Sequence, residues 1–271
     1  MAGAAPASAS TRRRSSPSSL AHCQTVAAVF AADGDTVVIT GRRPEPLHAA
    51  ADQLGPGVRP VVCDGTDPAQ VQAVRTQLPE TVDVLVHCAG GNTDFDRPEP
   101  NDLESLAASW RANLDANLIT AVLMTAAVRD RLVDGGTVVN IGSIAADKGA
   151  GAYGAAKAGV ASWNIDIAAQ LGPQGVTATS SPPPGYIADT EFFRDKLTDD
   201  RRDALIAATN TKRAGTPDDV AGTVHFLASP AARQITGQVI AVNGENAPPA
   251  EPTTSRCRIP LPDAPHCRVA Y

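Results

Sequence analysis

Short runs of β-branched and aliphatic residues alternate along this chain with longer stretches whose apolar positions recur every three or four residues. The first pattern is typical of buried strands and the second of amphipathic helices. Strands are expected at residues 36–40, 58–63, 82–87, 136–141 and 238–243, with a weaker one at 176–179. Helices are expected at residues 45–54, 68–78, 103–132, 152–171, 189–208 and 217–228. Such alternation predicts an α/β fold, a single doubly wound domain with a parallel sheet flanked by helices.

The two ends of the chain differ from this middle part. Residues 1–24 are rich in serine, alanine and proline and lack a helical or strand period, which indicates an aberrant or disordered segment. Residues 245–271 contain six prolines and no period, which indicates a disordered tail. The predicted domain therefore comprises residues 25–244.

Composition fits a globular protein with little affinity for polyanions. The 271 residues are 43% hydrophobic and 19% charged, and they carry a net charge of −6. These values favour one folded domain, and the negative charge argues against nucleic acid or an anionic membrane as a partner. No apolar run reaches the ~18 residues that a membrane-spanning helix needs.

The cysteines indicate neither a disulfide framework nor a metal site. Five are present, an odd number, and none belongs to a C-x-x-C pair or to a metal-ligand spacing. A reduced protein is the simplest interpretation. We therefore expect a cytoplasmic protein without a bound metal.

The segment YGAAK, from Tyr153 to Lys157, is the strongest candidate for catalytic chemistry. Residues four apart lie on one face of a helix, roughly 5–6 Å apart at Cβ, so the Lys157 ammonium can act on the Tyr153 phenol. A nearby cation favours the phenolate and is expected to lower the pKa of Tyr153 toward a useful acid-base range. The same spacing also arises by chance on exposed helices, so the neighbouring motifs decide between the two interpretations.

Further candidates lie where α/β sheets hold ligands. The run VDVLVHCAG, residues 82–90, indicates a strand and a turn of small residues that lets the backbone approach a flat ligand. Ser143 follows the strand at 136–141, at the carboxyl end where open sheets bind ligands. Asn117 lies beside the apolar stripe of a helix. It is either part of a site or a buried amide bonded to neighbouring backbone.

Taken together, these motifs resemble the short-chain dehydrogenase/reductase family. The resemblance covers residues 25–244 and implies one Rossmann-type domain. The motifs that carry it are Tyr153-x-x-x-Lys157 with Ser143 upstream, His87-Cys88-Ala89-Gly90 in place of the family's Asn-Asn-Ala-Gly turn, Asn117, Pro184-Gly185, and the closing segment KRAGTPDDVAGTVHFLASPAARQITGQVIAVNG.

The resemblance implies hydride transfer between a nicotinamide cofactor and a small-molecule carbonyl or alcohol. Tyr153 would donate or accept the proton, and Ser143 would hydrogen-bond the substrate oxygen. Lys157 would bind the nicotinamide ribose, and Asn117 would hold a water of the proton relay. The other implied cofactor contacts are Asp64 at the adenine, the turn residues Cys88, Ala89 and Gly90, and Pro184, Gly185, Ile187 and Thr190.

Two arginines indicate which dinucleotide is bound. Arg42 and Arg43 follow the strand at 36–40, where an enzyme that uses NAD(H) typically presents an acidic residue to the ribose 2′-hydroxyl. Guanidinium groups suit a 2′-phosphate instead. We therefore expect NADP(H) in preference to NAD(H). The alternative is that both arginines are solvated loop residues.

The chain departs from the family pattern in two places. The family's first strand and glycine-rich phosphate loop should precede residue 25, yet no glycine lies between Gly3 and Gly34. The segment ATSSPPPGYI stands at the place of the family's sixth strand, yet its three consecutive prolines cannot serve a central ladder. Both strands are therefore in doubt. Local reading-frame errors in these two regions, and in the tail, would account for the anomalies, and resequencing the gene tests that hypothesis.

Two functions from different classes follow from these observations. The first is an NADP(H)-dependent ketone reductase or secondary alcohol dehydrogenase, similar to 3-oxoacyl reductases, with residues 186–197 as a lid that carries Phe192 and Phe193. The alternative is a non-catalytic scaffold or sensor that cannot retain a dinucleotide, which the missing glycine loop favours. The family resemblance also implies a homo-oligomer, a dimer or tetramer, that uses the helices at 103–132 and 152–171.

Overall fold

Helices and parallel strands alternate along the chain in a computed structural model that describes residues 21–181, 183, 187–188, 192 and 197–244. The helices are α1 (Ala21–Ala32), α2 (Pro44–Leu54), α3 (Pro68–Val74), α4 (Leu103–Leu114), α5 (Thr120–Val128), α6 (Ala145–Lys148), α7 (Gly151–Leu171), α8 (Asp199–Ala208) and α9 (Pro217–Ala228). The strands are β1 (Val37–Gly41), β2 (Val58–Val62), β3 (Val82–His87), β4 (Leu132–Ile141), β5 (Thr177–Ser181) and β6 (Gln238–Val239). The predicted α/β fold is confirmed. Within these residues, no helix has both the length and the apolar character needed to cross a membrane.

The strands form two parallel sheets instead of one. β1 pairs with β2, and the remaining strands are ordered β3-β4-β5-β6. Within the described ranges no strand precedes Val37, and β1 is not hydrogen-bonded to β3. Side chains on β1 and β3 stay half-buried or exposed, whereas β5 is buried throughout. The split thus falls at the expected place of the absent first strand, while residues 1–20 lie outside the described part.

Strand β5 forms despite the prolines that follow it. All five of its residues are buried, and it pairs with β4 from Thr177 to Ser181 and with β6. Because the paired residues of β5 end at Ser181, they include no proline, and each can take part in the ladder. The doubt about this strand was therefore wrong. The hydroxyls of Ser180 and Ser181 are buried and have no hydrogen-bond partner among the described residues.

Several helices differ from the prediction. The long helix expected at 103–132 is divided into α4, a π-helical turn at Asp115–Ile119 and α5. It also ends earlier than predicted, because β4 begins at Leu132. Helix α8 starts only at Asp199, because the Thr198 side chain caps it by accepting from the Arg201 amide. Helix α1 was not predicted, because its alanines and apolar residues are not confined to one face of the helix.

Both faces of strand β4 are covered, which fixes where the site residues lie. Val138 and Val139 are fully buried and belong to different hydrophobic clusters. Val139 packs with residues of α1 and α9, and Val138 packs with residues of α7. Alternate side chains of a strand point to opposite faces. Helix α7 is therefore held against one face of the sheet, beside the carboxyl end of β4.

Candidate active site

Helix α7 brings Tyr153 and Lys157 together in a buried position. The helix follows Gly149, whose left-handed backbone (φ 68°) ends α6 and turns the chain. It packs against α4 and β5. Tyr153 is 6% exposed and Lys157 is 5% exposed. A phenol and an ammonium one helical turn apart are thus shielded from bulk water, where their electrostatic effects are stronger.

Ser143 reaches the Tyr153 phenol from the end of strand β4. Backbone pairing of β4 with β5 continues to Gly142, whose amide donates to the Ser181 carbonyl at 3.1 Å. The Ser143 hydroxyl is hydrogen-bonded to the Tyr153 phenol and also accepts from the Ala145 amide at 3.1 Å. The structure therefore brings together the predicted serine, tyrosine and lysine.

The pKa of Tyr153 is raised, not lowered as expected. Burial of the phenol raises this pKa, and the hydrogen bond from Ser143 only partly opposes the effect. The Lys157 ammonium is directed elsewhere, since it donates to the Ile141 carbonyl at 2.8 Å. Tyr153 is therefore a protonated acid at neutral pH.

Burial acts on Lys157 in the other sense. It lowers the pKa of Lys157 to about 8, and the neighbouring thiols of Cys88 and Cys23 oppose this shift. The ammonium remains mostly charged at neutral pH and titrates just above it. Lys157 in turn helps burial to lower the pKa of His87 to about 4, so this imidazole is neutral. His87 lies 2.7 Å from the Thr125 hydroxyl.

Asn117 lies in the π-helical turn between α4 and α5 and is 2% exposed. Its Oδ1 accepts from the Gly91 amide at 3.0 Å, and its Nδ2 donates to the carbonyls of Gly91 and Asn113 at 3.0 and 2.9 Å. Both amide hydrogens are thus used on backbone carbonyls, which is the structural alternative that the sequence left open. Asn117 clamps the turn after β3 to the helix, and its role in a proton relay stays a prediction.

The turn after β3 presents small residues to solvent. Ala89 and Gly90 are exposed, and Cys88 is half-buried. Gly90 has φ 127°, and a Cβ there would lie 2.4 Å from Asn117 Oδ1. Two features therefore exclude a side chain at Gly90: its positive φ angle and the neighbouring Asn117 side chain. The turn can offer only backbone and a thiol to a ligand.

The carboxyl edge of the smaller sheet carries Arg42, Arg43 and Asp64. The Cys63 amide donates to the Gly41 carbonyl at 3.0 Å, so the residues after these two positions are neighbours. Both arginines are exposed. The Asp64 carboxylate accepts from the Thr66 hydroxyl and amide at 2.8 and 3.0 Å, which fixes its orientation. The sequence-predicted cation and carboxylate positions therefore share one edge.

An aromatic cluster covers Tyr153. The ring of Phe192 lies 5.8 Å from that of Tyr153, tilted by 51°, and 5.9 Å from that of Phe95, edge-on at 82°. Phe192 belongs to the predicted lid. Phe95 was missed, because nothing local marks a residue that reaches the site only through a tertiary contact.

Of the remaining predicted cofactor residues, the structure describes Ile187. Ile187 is buried in the hydrophobic cluster that contains Val139 and Val220, and it is bridged to Gly215. Pro184, Gly185, Thr190 and Phe193 lie outside the described residues. Cys23 was also missed: it lies in α1 and, like Cys88, acts on the pKa of Lys157, and no signal in the sequence relates these positions.

Known proteins resemble this chain over most of its length. The family model described as enoyl-(acyl carrier protein) reductase matches residues 17–244. The 3-oxoacyl-[acyl-carrier-protein] reductase FabG of Escherichia coli is 31% identical over 228 residues, which cover 81% of this chain and 90% of that protein. The short-chain reductase protein NovJ of Streptomyces niveus is 32% identical over 230 residues, 79% of this chain and 86% of that protein.

Solved structures show the same relationship. A short-chain dehydrogenase/reductase family oxidoreductase from Burkholderia thailandensis has a TM-score of 0.69 at 34% identity. The match covers 83% of this chain and 87% of that chain. A short-chain type dehydrogenase/reductase from Mycobacterium ulcerans has a TM-score of 0.74 at 28% identity, with 83% and 85% covered. The sequence match and the fold agree, and the chain belongs to the short-chain dehydrogenase/reductase family of oxidoreductases.

Proposed function

We propose that this protein is an NADP(H)-dependent reductase of ketones that uses Tyr153, Ser143 and Lys157 as its catalytic group. The observation that carries the proposal is the buried Tyr153 phenol, hydrogen-bonded to Ser143 and one helical turn from the Lys157 ammonium. Such a set can deliver a proton to a carbonyl oxygen at a position from which water is largely excluded.

The protonation state of Tyr153 favours reduction over oxidation. With its pKa raised by burial, the phenol holds its proton at neutral pH and can donate it to a carbonyl oxygen. The Ser143 hydroxyl lies beside the phenol and can stabilise the charge that develops on the same oxygen. Lys157 is proposed to bind the ribose of the nicotinamide. When bound, the reduced nicotinamide supplies the hydride.

The described residues fit both ends of a dinucleotide. The exposed arginines Arg42 and Arg43 suit a 2′-phosphate, and Asp64, oriented by Thr66, suits the adenine edge. The small-residue turn Cys88, Ala89 and Gly90 suits the close approach of a flat ring. Helix α1, the first described element, contains no glycine, so the pyrophosphate must be held differently from the family's glycine loop. Pro184, Gly185, Ile187 and Thr190 stay predicted contacts.

The substrate is proposed to be an apolar ketone of small or medium size. Phe192 places one ring beside Tyr153, and Phe95 packs edge-on against Phe192, so an apolar group attached to the carbonyl finds aromatic surface there. The similarity to a 3-oxoacyl-[acyl-carrier-protein] reductase makes a 3-oxoacyl thioester the first substrate to test. The protein would act in the cytoplasm, with neither nucleic acid nor membrane as a partner.

A homo-oligomer, a dimer or tetramer, is proposed to form through α4 and α7. These two helices pack on each other, and both expose large apolar side chains. Trp110 on α4 is 43% exposed and Ile165 on α7 is 59% exposed. A double substitution Trp110→Glu/Ile165→Glu should yield a smaller species in size-exclusion chromatography with light scattering. An unchanged mass would place the interface elsewhere.

Two measurements test the enzyme proposal. NADPH is titrated into the purified full chain while nicotinamide fluorescence is followed, and oxidation of NADPH is then recorded with a 3-oxoacyl thioester. Tyr153→Phe should keep NADPH binding and lose activity by about 10²–10⁴-fold. Full activity of Tyr153→Phe would overturn the assignment of Tyr153 as the acid.

The split sheet favours a second candidate, a non-catalytic scaffold or sensor. β1 and β3 are not joined in the described chain, and a dinucleotide would have to bridge the two sheets without a glycine loop. The same titration decides between the two functions. No binding at millimolar NADPH would favour the scaffold, and saturable binding in the micromolar range would exclude it.

A further inference from the structure

Three buried polar side chains, on helix α4 and the π-helical turn after it, hold the segment that follows residues 88–90. Ser109, Asn113 and Asn117 succeed each other at intervals of four residues and are 8%, 0% and 2% exposed. Buried polar groups need hydrogen-bond partners. All three side chains find partners in residues 91–94, so this segment is fastened to the helix along its length.

Two of these side chains converge on the carboxylate of Asp94. Its Oδ1 accepts from the Ser109 hydroxyl at 2.6 Å and from Asn113 Nδ2 at 2.9 Å. Asn113 also accepts from the Thr93 amide at 3.2 Å, and its Nδ2 donates to the Ser109 carbonyl at 3.2 Å. Hydrogen bonds to an ionised carboxylate are stronger than those between neutral groups. Although Asp94 is itself exposed, donors from two buried residues therefore fix one of its oxygens.

The backbone around Asp94 is fixed as well. Residues Thr93–Asp96 form one 3₁₀-helical turn, and the Asn92 side chain caps it by accepting from the Asp94 amide at 3.0 Å. The Phe95 amide donates to the Asn92 carbonyl at 3.4 Å. Because Phe95 directly follows Asp94 in this turn, the anchored carboxylate also determines where the Phe95 ring lies.

Phe95 transmits this anchoring to the candidate active site. Its ring packs edge-on against Phe192 at 5.9 Å, and the Phe192 ring lies 5.8 Å from that of Tyr153. Such aromatic contacts depend on the separation and the angle of the rings. A displacement of Phe95 would therefore remove the ring against which Phe192 packs and change the aromatic surface next to Tyr153.

We propose that Asp94 is a positioning residue that determines substrate specificity. Anchored by Ser109 and Asn113, it holds Phe95 in the place where the aromatic surface accepts a ketone with an apolar substituent. The carboxylate acts only through Phe95 and contacts no substrate. The consequence for substrates rests on the proposed function, whereas the anchoring of Phe95 does not.

The anchoring is tested by ¹⁹F NMR on the full chain, in which 4-fluorophenylalanine replaces the five phenylalanines. Single replacements by leucine assign the resonances. Asp94→Ala should move the Phe95 resonance toward its position in urea, while Phe30 in α1 and Phe226 in α9 keep theirs and report an intact fold. Asp94→Asn retains an acceptor oxygen and should leave Phe95 near its parent position. An unmoved Phe95 resonance in Asp94→Ala would overturn the proposal.

Two further variants control this experiment. Glu99→Ala removes an exposed carboxylate from the same loop and should leave the Phe95 resonance in place. If it moves Phe95 as far as Asp94→Ala does, loss of charge is the cause and the proposal is overturned. Ser109→Ala removes one of the two donors and should move Phe95 in the same direction by a smaller amount. It keeps the test available if Asp94→Ala does not fold.

The effect on specificity is measured as KM and kcat for acetophenone and for acetone with NADPH. Asp94→Ala should raise the KM for acetophenone about tenfold relative to that for acetone, with kcat within about twofold of the parent. Asp94→Asn should restore most of this ratio. In a Phe95→Ala background, Asp94→Ala should change the ratio no further, because Asp94 acts through Phe95. Additive effects of the two substitutions would overturn the proposal.

The outcome is separable from that of the proposed function. The ¹⁹F spectra require neither cofactor nor turnover. If Asp94→Ala moves the Phe95 resonance and the parent chain reduces neither ketone, the anchoring stands and the enzyme proposal fails. If the parent chain reduces both ketones and Asp94→Ala leaves the ratio of their KM values unchanged, the enzyme proposal stands and the role of Asp94 in specificity is overturned.

Discussion

Lys157 donates a hydrogen bond of 2.8 Å to the carbonyl of Ile141, the last residue of strand β4. This bond ties helix α7 to the carboxyl edge of the sheet. It also explains why the lysine does not lower the pKa of Tyr153: the ammonium is held by a backbone acceptor, while burial raises the pKa of the phenol. Acid-base behaviour here is set by burial more than by the spacing of the two residues on the helix.

Replacement of Lys157 should show that burial of its ammonium lowers the stability of the native state, by an amount that depends on pH. The native pKa of about 8 lies below the ordinary value of 10.5, so between these values the unfolded chain binds a proton that the native chain does not. Stability of the parent relative to Lys157→Met should therefore rise from pH 8 to 10.5, by at most about 3 kcal/mol. Urea unfolding at several pH values measures it. A difference that stays constant with pH would contradict the assignment.

Replacement of Asn117 should destabilise the whole domain. Asn117→Ala removes one buried and two partly buried hydrogen bonds and takes away the partner of the Gly91 amide and carbonyl, so we expect a loss of about 2–4 kcal/mol in the free energy of unfolding. Asn101→Ala, at an exposed position, is the control and should change stability by less than about 0.5 kcal/mol. Equal effects of the two substitutions would show that the clamp carries no stability.

Replacement of two buried serines in strand β5 by alanine should stabilise the protein. Ser180 and Ser181 each bury a hydroxyl without a described partner, so Ser180→Ala and Ser181→Ala should each raise the free energy of unfolding by about 1 kcal/mol. The matched control is Thr177→Val, which removes a buried hydroxyl bonded to Thr137 at 2.7 Å and should lower stability. Destabilisation by both alanine variants would imply that these hydroxyls are satisfied.

The two exposed arginines should set the choice of cofactor. Arg42→Ala/Arg43→Ala should raise the KM for NADPH by about 10–100-fold and change the KM for NADH little, because charge-assisted hydrogen bonds to a phosphate are lost. Arg201→Ala, an exposed arginine on α8, is the control. Equal effects on the KM values of both dinucleotides would indicate that Arg42 and Arg43 are solvated loop residues that do not recognise a 2′-phosphate.

The aromatic cover of Tyr153 should act on substrate binding. Phe192→Ala should raise the KM for an apolar ketone by about tenfold with a smaller effect on kcat, since it removes ring surface but no reacting group. Phe192→Leu should recover part of this loss. Phe226→Ala on α9, where the ring is 46% exposed, is the control. A fall in kcat with unchanged KM would instead make Phe192 a positioning residue for Tyr153.

Much of the fold could be predicted because its signals are local. Helix α9 has the predicted bounds, Pro217–Ala228, since Thr216 and Asp219 form a capping box around a first-turn proline. The strand at 82–87 was also predicted correctly, as its apolar run ends at a small-residue turn. The π-helical turn at Asp115–Ile119 could not be predicted, because the apolar period continues through it.

The sequence by itself determined the chemistry that is available: a tyrosine and a lysine one helical turn apart, a serine after a strand, and two arginines after another. Only the tertiary structure decided how that chemistry behaves. Burial raises the pKa of Tyr153 and lowers that of Lys157, and burial depends on every element packed around α7. The contact of Phe95 with Phe192 likewise joins positions that no local spacing relates, because long-range proximity arises from packing and leaves no period in the chain.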